Sequence, residues 1–159
     1  MVVRCQRKEI SLLMTDIDAC CHHSVNLLIF NRLGQVLLQY RDGGGLSPWT
    51  WGLWGGALEK EDGDVLAAVL REAREELRLA TRPEEWRLLD QRQSVNGDKI
   101  AHLYALQSPV SATDIQQCEG AGYGFFRLDA LDHLPIVKSL RYWVDKGCIE
   151  AAIKEWLES

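Results

Sequence analysis

The run Gly55-Gly56-Ala57-Leu58-Glu59-Lys60-Glu61-Asp62-Gly63-Asp64-Val65-Leu66-Ala67-Ala68-Val69-Leu70-Arg71-Glu72-Ala73-Arg74-Glu75-Glu76-Leu77 decides how this chain is read. Paired glycines open it and residues 59–63 form a polar loop. Asp64 then stands where an N-cap is wanted, before a stretch rich in Ala, Leu, Glu and Arg that predicts a helix to about Leu79. At about 100° per residue, Leu66, Val69, Leu70, Ala73 and Leu77 fall on one apolar stripe. Glu72, Glu75 and Glu76 gather alongside it, and Arg71, Arg74 and Arg78 take the opposite flank. Three carboxylates at i, i+3 and i+4 repel unless a positive charge sits among them. At the edge of an apolar stripe they are also partly desolvated. Hard divalent cations favour such an all-oxygen environment. An acidic run alone is weak evidence, because a solvated, charge-laced helix has the same composition.

Outward from this helix, the pattern is one of hairpins rather than regular βαβ units. Residues 24–30 and 36–40 read as strands joined at Asn31-Arg32-Leu33-Gly34, which predicts a hairpin. Three glycines, Gly43 to Gly45, precede an aromatic and glycine-dense segment with Trp49, Trp51 and Trp54. Residues 86–95 and 99–106 read as a second hairpin through Asn96-Gly97. A short strand is expected over 123–128. Two helices follow, over 137–145 and 148–157, broken at Lys146-Gly147. Mixed strands and helices without βαβ regularity favour an α+β layered sandwich over a doubly wound sheet.

Composition sets limits. The 159 residues suit one domain, 1–159, with a core over about 22–145. A net charge of −5 leaves no basic footprint for long nucleic acid. The five cysteines, Cys5, Cys20, Cys21, Cys118 and Cys148, are odd in number and lack metal-ligand spacing, so they read as reduced thiols. Cys20-Cys21-His22-His23 reads as a strand entering the core, since neighbouring strand side chains point to opposite faces. No apolar run approaches the ~20 residues that span a bilayer, and Arg4, Arg7, Lys8 and Glu9 do not begin a secretory leader. A cytoplasmic protein without membrane contact is expected. The last helix, with Ile149, Ile153, Trp156 and Leu157, packs either on its own domain or across a homodimer.

The central run resembles the Nudix box, the hallmark of the Nudix hydrolase family, with pattern G-x5-E-x7-R-E-U-x-E-E-x-G-U. Gly56 matches the opening glycine, Arg71-Glu72 and Glu75-Glu76 match R-E and E-E, and Leu79 matches the last apolar position. The approach, Leu37-Leu38-Gln39-Tyr40-Arg41-Asp42 and Trp51-Gly52-Leu53-Trp54-Gly55-Gly56, is also similar. Three positions depart from the pattern. The Gly56 to Arg71 spacing is one residue longer, Gly63 replaces the outlying glutamate, and Arg78 replaces the late glycine. Glu61, Asp62 or Asp64 is left to stand in for that glutamate. Without the glycine, the helix is expected to end differently or run slightly longer.

The resemblance implies an α/β/α sandwich with a mixed central β-sheet and a metal-dependent pyrophosphohydrolase. It makes Glu75 and Glu76 the principal ligands of Mg²⁺ or Mn²⁺, with Glu72 a further ligand or the group that deprotonates water. The Gly55 carbonyl would complete the set, Arg71 would orient the carboxylates, and Glu119 would add a late acidic ligand. The substrate it implies is a small-molecule nucleoside diphosphate derivative, such as a nucleotide sugar or nucleoside triphosphate, cut to a nucleotide and phosphoryl-X. Trp49, Trp51, Arg41 and Tyr123 are the expected substrate contacts. Two other readings stand beside this one: a house-cleaning enzyme for oxidised nucleotides, and a catalytically silent ligand-binding or regulatory module.

Overall fold

A computed structural model describes residues 21–159. The strands are β1 (His22–Leu28), β2 (Val36–Tyr40), β3 (Trp51–Gly52), β4 (Trp86–Gln93), β5 (Lys99–Leu106) and β6 (Gly122–Phe126). The helices are α1 (Val65–Leu77), α2 (Lys138–Lys146) and α3 (Cys148–Glu158). The earlier expectations for Cys5, Cys20 and residues 4–9 lie outside the described residues.

The α+β class holds, and the central layer comprises a mixed three-stranded sheet and an antiparallel three-stranded one. In the first, β5 lies between β1, which runs parallel to it, and β4, which runs antiparallel. In the second, β2 lies between β3 and β6, antiparallel to both. The expected hairpin of β1 with β2 is therefore corrected. The turn forms, with Asn31 Oδ1 accepting from the N–H groups of Leu33 and Gln35, both at 3.0 Å. Beyond it the two strands meet only at the Phe30–Val36 bridge and then enter different sheets. Leu27, Leu28, Ile29 and Phe30 are essentially fully buried. A continuous apolar run suits a strand covered on both faces, and the helices on either side of β1 supply that cover.

Residues 54–58 join the sheets. They run along the free edge of β1, with Val25 N–H donating to Gly56 O (2.8 Å), Leu27 N–H to Trp54 O (2.9 Å) and Leu58 N–H to His23 O (2.9 Å). The chain leaving β3 is thus pinned beneath α1. Because strand side chains alternate, Val25, Leu27 and Ile29 face α1, meeting Val65, Val69, Ala73 and Leu77. Leu28 and Phe30 face the other way, toward Leu140, Trp143, Ile149 and Ile153 of α2 and α3. Helices on both faces complete the α/β/α sandwich.

The termini of α1 fix the site. Asp64 Oδ1 accepts from Ala67 N–H at 2.7 Å, the expected N-cap. At the other end Arg78 takes the left-handed conformation itself (φ 54°, ψ 25°), and Leu79 N–H reaches back to Ala73 O at 3.1 Å. The helix therefore stops at Leu77 as it would with a glycine, at the expense of strain carried by Arg78. The last free carbonyls, of Glu76 and Leu77, accept from Cys118 N–H (2.8 Å) and Gln116 N–H (3.0 Å). Those two bonds bring residues 116–119 against the end of the acidic helix. Among the described residues no helix is long and apolar enough to cross a membrane.

Candidate active site

The wheel expectation sharpens in the folded chain. Glu72 and Glu76 do not flank the buried face of α1 but lie on it, at 7% and 5% exposure, whereas Glu75 points outward. Gly55-Gly56 is what they face. Gly55 sits at φ 130°, and a Cβ there would lie 2.0 Å from the carbonyl oxygen of Val25. Only glycine allows this approach. The Gly55 N–H then donates to Glu76 Oε2 at 2.9 Å. At Gly56 a Cβ would stand 2.4 Å from Glu72 Oε1, so the carboxylate occupies the room that a side chain would take.

Arg71 ties the loop to the helix. Its Nε and Nη2 donate to the two oxygens of Asp62 at 2.8 and 3.0 Å, and Nη2 also reaches Ala57 O at 2.9 Å. Nη1 donates to Glu72 at 2.8 Å and Glu75 at 3.1 Å. Of the three acidic residues left open for the outlying glutamate, Asp62 is the one that grips Arg71. The fork holds the Asp62 carboxyl below its usual range and the guanidinium firmly charged.

Burial pushes Glu72 up, with Arg71 opposing and Glu75 and Glu119 adding repulsion. Burial also lifts Glu76 to about 8, against the Gly55 N–H, with Glu119 and Glu72 raising it further. Among the described residues no three Asp, Glu, His or Cys side chains form a ready ligand cage. The chemistry of the cluster nonetheless fits a hard divalent cation. Its donors are all oxygen, two are buried, and their mutual repulsion is what a cation would relieve.

A cleft of about 190 Å³ opens beside the cluster, lined by Ser24, Asn26, Gln39, Arg41, Gly55, Gly56, Glu119 and Ser139 among others. Of the expected site residues, Arg41, Gly55 and Glu119 are brought to it, with Glu72 and Glu76 directly behind the glycines. Trp49, Trp51 and Tyr123 are not. Trp51 packs between Tyr40 (centroids 4.9 Å apart) and Phe126 (4.6 Å). Tyr123 packs on the α1-side core, and Trp49 is 57% exposed beside Tyr40. His23 and His102 hydrogen-bond each other at 2.9 Å, and neither lines the cleft. Burial, with His23 beside it, pushes His102 down to about 4. Sequence reasoning missed Gln39 and Asn26. The available signal was a glutamine inside the otherwise apolar strand Val36-Leu37-Leu38-Gln39.

Comparisons with known proteins agree with this geometry. The structure resembles the MutT protein from Methanosarcina mazei Go1, with TM-score 0.65 and 21% identity over 88% of this chain and 98% of that one. It also resembles the MutT NUDIX hydrolase from Burkholderia pseudomallei (TM-score 0.63, 24% identity, 78% of this chain and 95% of that one). A third likeness is the NUDIX domain of Shewanella oneidensis NrtR complexed with ADP ribose (TM-score 0.63, 17% identity, 84% and 92%). At these identities the likenesses speak for the fold. Among proteins with curated descriptions, none matches the sequence. The NUDIX domain family model matches residues 22–146, which contain the glycine pair, the arginine and the glutamates described above. The chain belongs to the Nudix family of pyrophosphohydrolases.

Proposed function

We propose that this protein hydrolyses the diphosphate bond of a nucleoside diphosphate linked to a second group, releasing a nucleotide and phosphoryl-X, with Mg²⁺ or Mn²⁺ as cofactor. The observation that carries the reading is the gathering of Glu72, Glu76 and Glu119 against Gly55-Gly56 at the edge of the cleft. Glu72, Glu76, Glu119 and the Gly55 carbonyl would hold the metal, with Glu75 at the outer edge. A divalent cation there offsets phosphate charge and acidifies bound water.

The remaining roles belong to the chain. Glu76 is fixed by the Gly55 N–H, which sets the direction of its second oxygen. Arg71, anchored on Asp62 and Ala57 O, holds Glu72 in place and keeps the loop and helix in register. Glu72, which accepts from Arg71 Nη1 through one oxygen at 2.8 Å and is raised by burial, is the group suited to accept the proton of the attacking water. Arg41 lies in the cleft, where its charge meets the substrate's phosphates. The structural neighbour complexed with ADP ribose supports a ligand of the small nucleotide-derivative kind.

A panel of nucleoside triphosphates, nucleotide sugars, dinucleotide polyphosphates and oxidised dGTP, incubated with Mg²⁺ or Mn²⁺ and resolved by chromatography, tests the reading. Cleavage between two phosphorus atoms of at least one substrate is expected. Silence across the panel, with both metals, overturns it.

A further inference from the structure

Glu119 is the member of the acidic cluster that comes from a loop rather than from α1. It is exposed, and its charge repels those of Glu72 and Glu76. A loop carboxylate facing two like charges turns out to solvent unless its backbone is held. How that backbone is held therefore bears on how a cation is bound.

The loop is anchored on both sides of Glu119. Ahead of it, the Gln116 and Cys118 N–H groups donate to Leu77 O and Glu76 O at the end of α1, at 3.0 and 2.8 Å. Beyond it, Ala121 N–H donates to Tyr40 O on β2 at 2.9 Å. Gly120, at φ 79°, lies so close to β2 that a Cβ there would stand 2.9 Å from the same carbonyl. Glu119 and Gly120 lie between these anchors, and one side chain takes both of their carbonyls. Gln117 Nε2 donates to Glu119 O at 2.8 Å and to Gly120 O at 3.0 Å. Both partners are acceptors, so the carboxamide must present its nitrogen here, and both of its hydrogens are used. An amide closed on two successive carbonyls fixes the peptide between them. With it is set the direction in which the Glu119 side chain leaves the chain.

Gln117 is itself half-buried, and it touches neither the carboxylates nor the cleft lining by these bonds. Its effect on the cluster is indirect. The two bonds order the turn before a cation arrives, so that less ordering remains to be done on binding. Resting on the diphosphate-hydrolase reading and its metal site, we infer that Gln117 is a positioning residue for that site. Its carboxamide clamps the Glu119–Gly120 turn, which keeps the Glu119 carboxylate beside Glu72 and Glu76 for a divalent cation.

The test is Mn²⁺ binding without substrate, read by electron paramagnetic resonance of the free ion, so it does not depend on turnover. The parent is compared with Gln117→Met, which keeps the length and loses the donors, with Glu119→Ala, and with the double variant. Gln117→Met should weaken Mn²⁺ binding about five- to thirtyfold, the worth of one to two such hydrogen bonds, and no more than Glu119→Ala does. In the Glu119→Ala background the same substitution should change the affinity less than about twofold, because the group it positions is gone. Equal weakening in both backgrounds would mark a merely structural residue and overturns the inference. Unchanged binding by Gln117→Met, where Glu119→Ala binds more weakly, overturns it too and leaves the metal site standing. A parent that binds no Mn²⁺, or Glu119→Ala binding as tightly as the parent, overturns the metal-site reading and this inference with it. If Gln117→Met does not fold, Gln117→Glu decides. It has the same size and no hydrogen to donate when ionised, so weaker binding despite the added negative charge supports the inference, and equal or tighter binding overturns it.

Discussion

Replacing Glu76 by glutamine should stabilise the metal-free protein, and by an amount that depends on pH. Glu76 is 5% exposed and its carboxyl is lifted from 4.5 to about 8, chiefly by burial. At about 1.4 kcal/mol per pKa unit, keeping it ionised in the folded state costs on the order of 3–5 kcal/mol. The folded state thus holds a proton between pH 4.5 and about 8 that the unfolded chain has released. Stability of the metal-free protein therefore falls as pH rises through that window and levels off above it. Glutamine does not titrate, and its carbonyl still accepts from Gly55 N–H, a bond of 2.9 Å in the parent. Urea unfolding in EDTA should give near-equal stabilities for Glu76→Gln and parent at pH 4.5. The variant should lead by several kcal/mol at pH 8.5. Excess Mg²⁺ should stabilise the parent at pH 8.5 and erase most of that lead. A pH-independent difference, or a variant less stable at pH 8.5, refutes the reasoning.

Other expectations follow from the same geometry. Gly56→Ala puts a methyl 2.4 Å from Glu72 Oε1, so it should cut kcat at least about a hundredfold with little change in melting temperature. Unchanged kcat would show that the position of Glu72 is unimportant. Asp62→Ala releases Arg71 from its two-point anchor, and a loss of about 1–3 kcal/mol with lower kcat is expected from urea melts and steady-state rates. A neutral result would assign the anchor elsewhere. Arg78→Gly relieves a side chain held at φ 54° and should raise stability by up to about 1 kcal/mol in thermal melts. A loss would mean that Arg78 contributes contacts beyond its backbone.

What was legible in the sequence was local. The Asp64 cap, the end of the helix near residue 78, the Asn96-Gly97 turn and the Gly147 break are each decided within a few residues, and the structure has all four. Arg71, Glu72 and Glu76 were legible because they share one helix. The pairing of β1 was not, because its parallel partner β5 lies some seventy residues on and a neighbouring turn pointed to β2 instead. The same holds for the edge contacts of residues 54–58, which leave no periodic mark. Asp62 could not be told from Glu61 and Asp64 until the loop placed it on Arg71. The tryptophans looked like a stacking platform because aromatic density shows in sequence, while burial does not. Trp54 and Trp51 went to packing, and the cleft was left to Gln39, Asn26 and two serines.

The central claim is that water attacks a phosphorus of a diphosphate at the Glu72–Glu76 cluster. Phosphorus NMR of the products formed in ¹⁸O-water with Mg²⁺, on the best substrate of the panel, tests it most directly. The account predicts one ¹⁸O in one phosphate product, no reaction in EDTA, and no turnover by Glu76→Gln. Cleavage that persists in EDTA, or full turnover by Glu76→Gln, would contradict it.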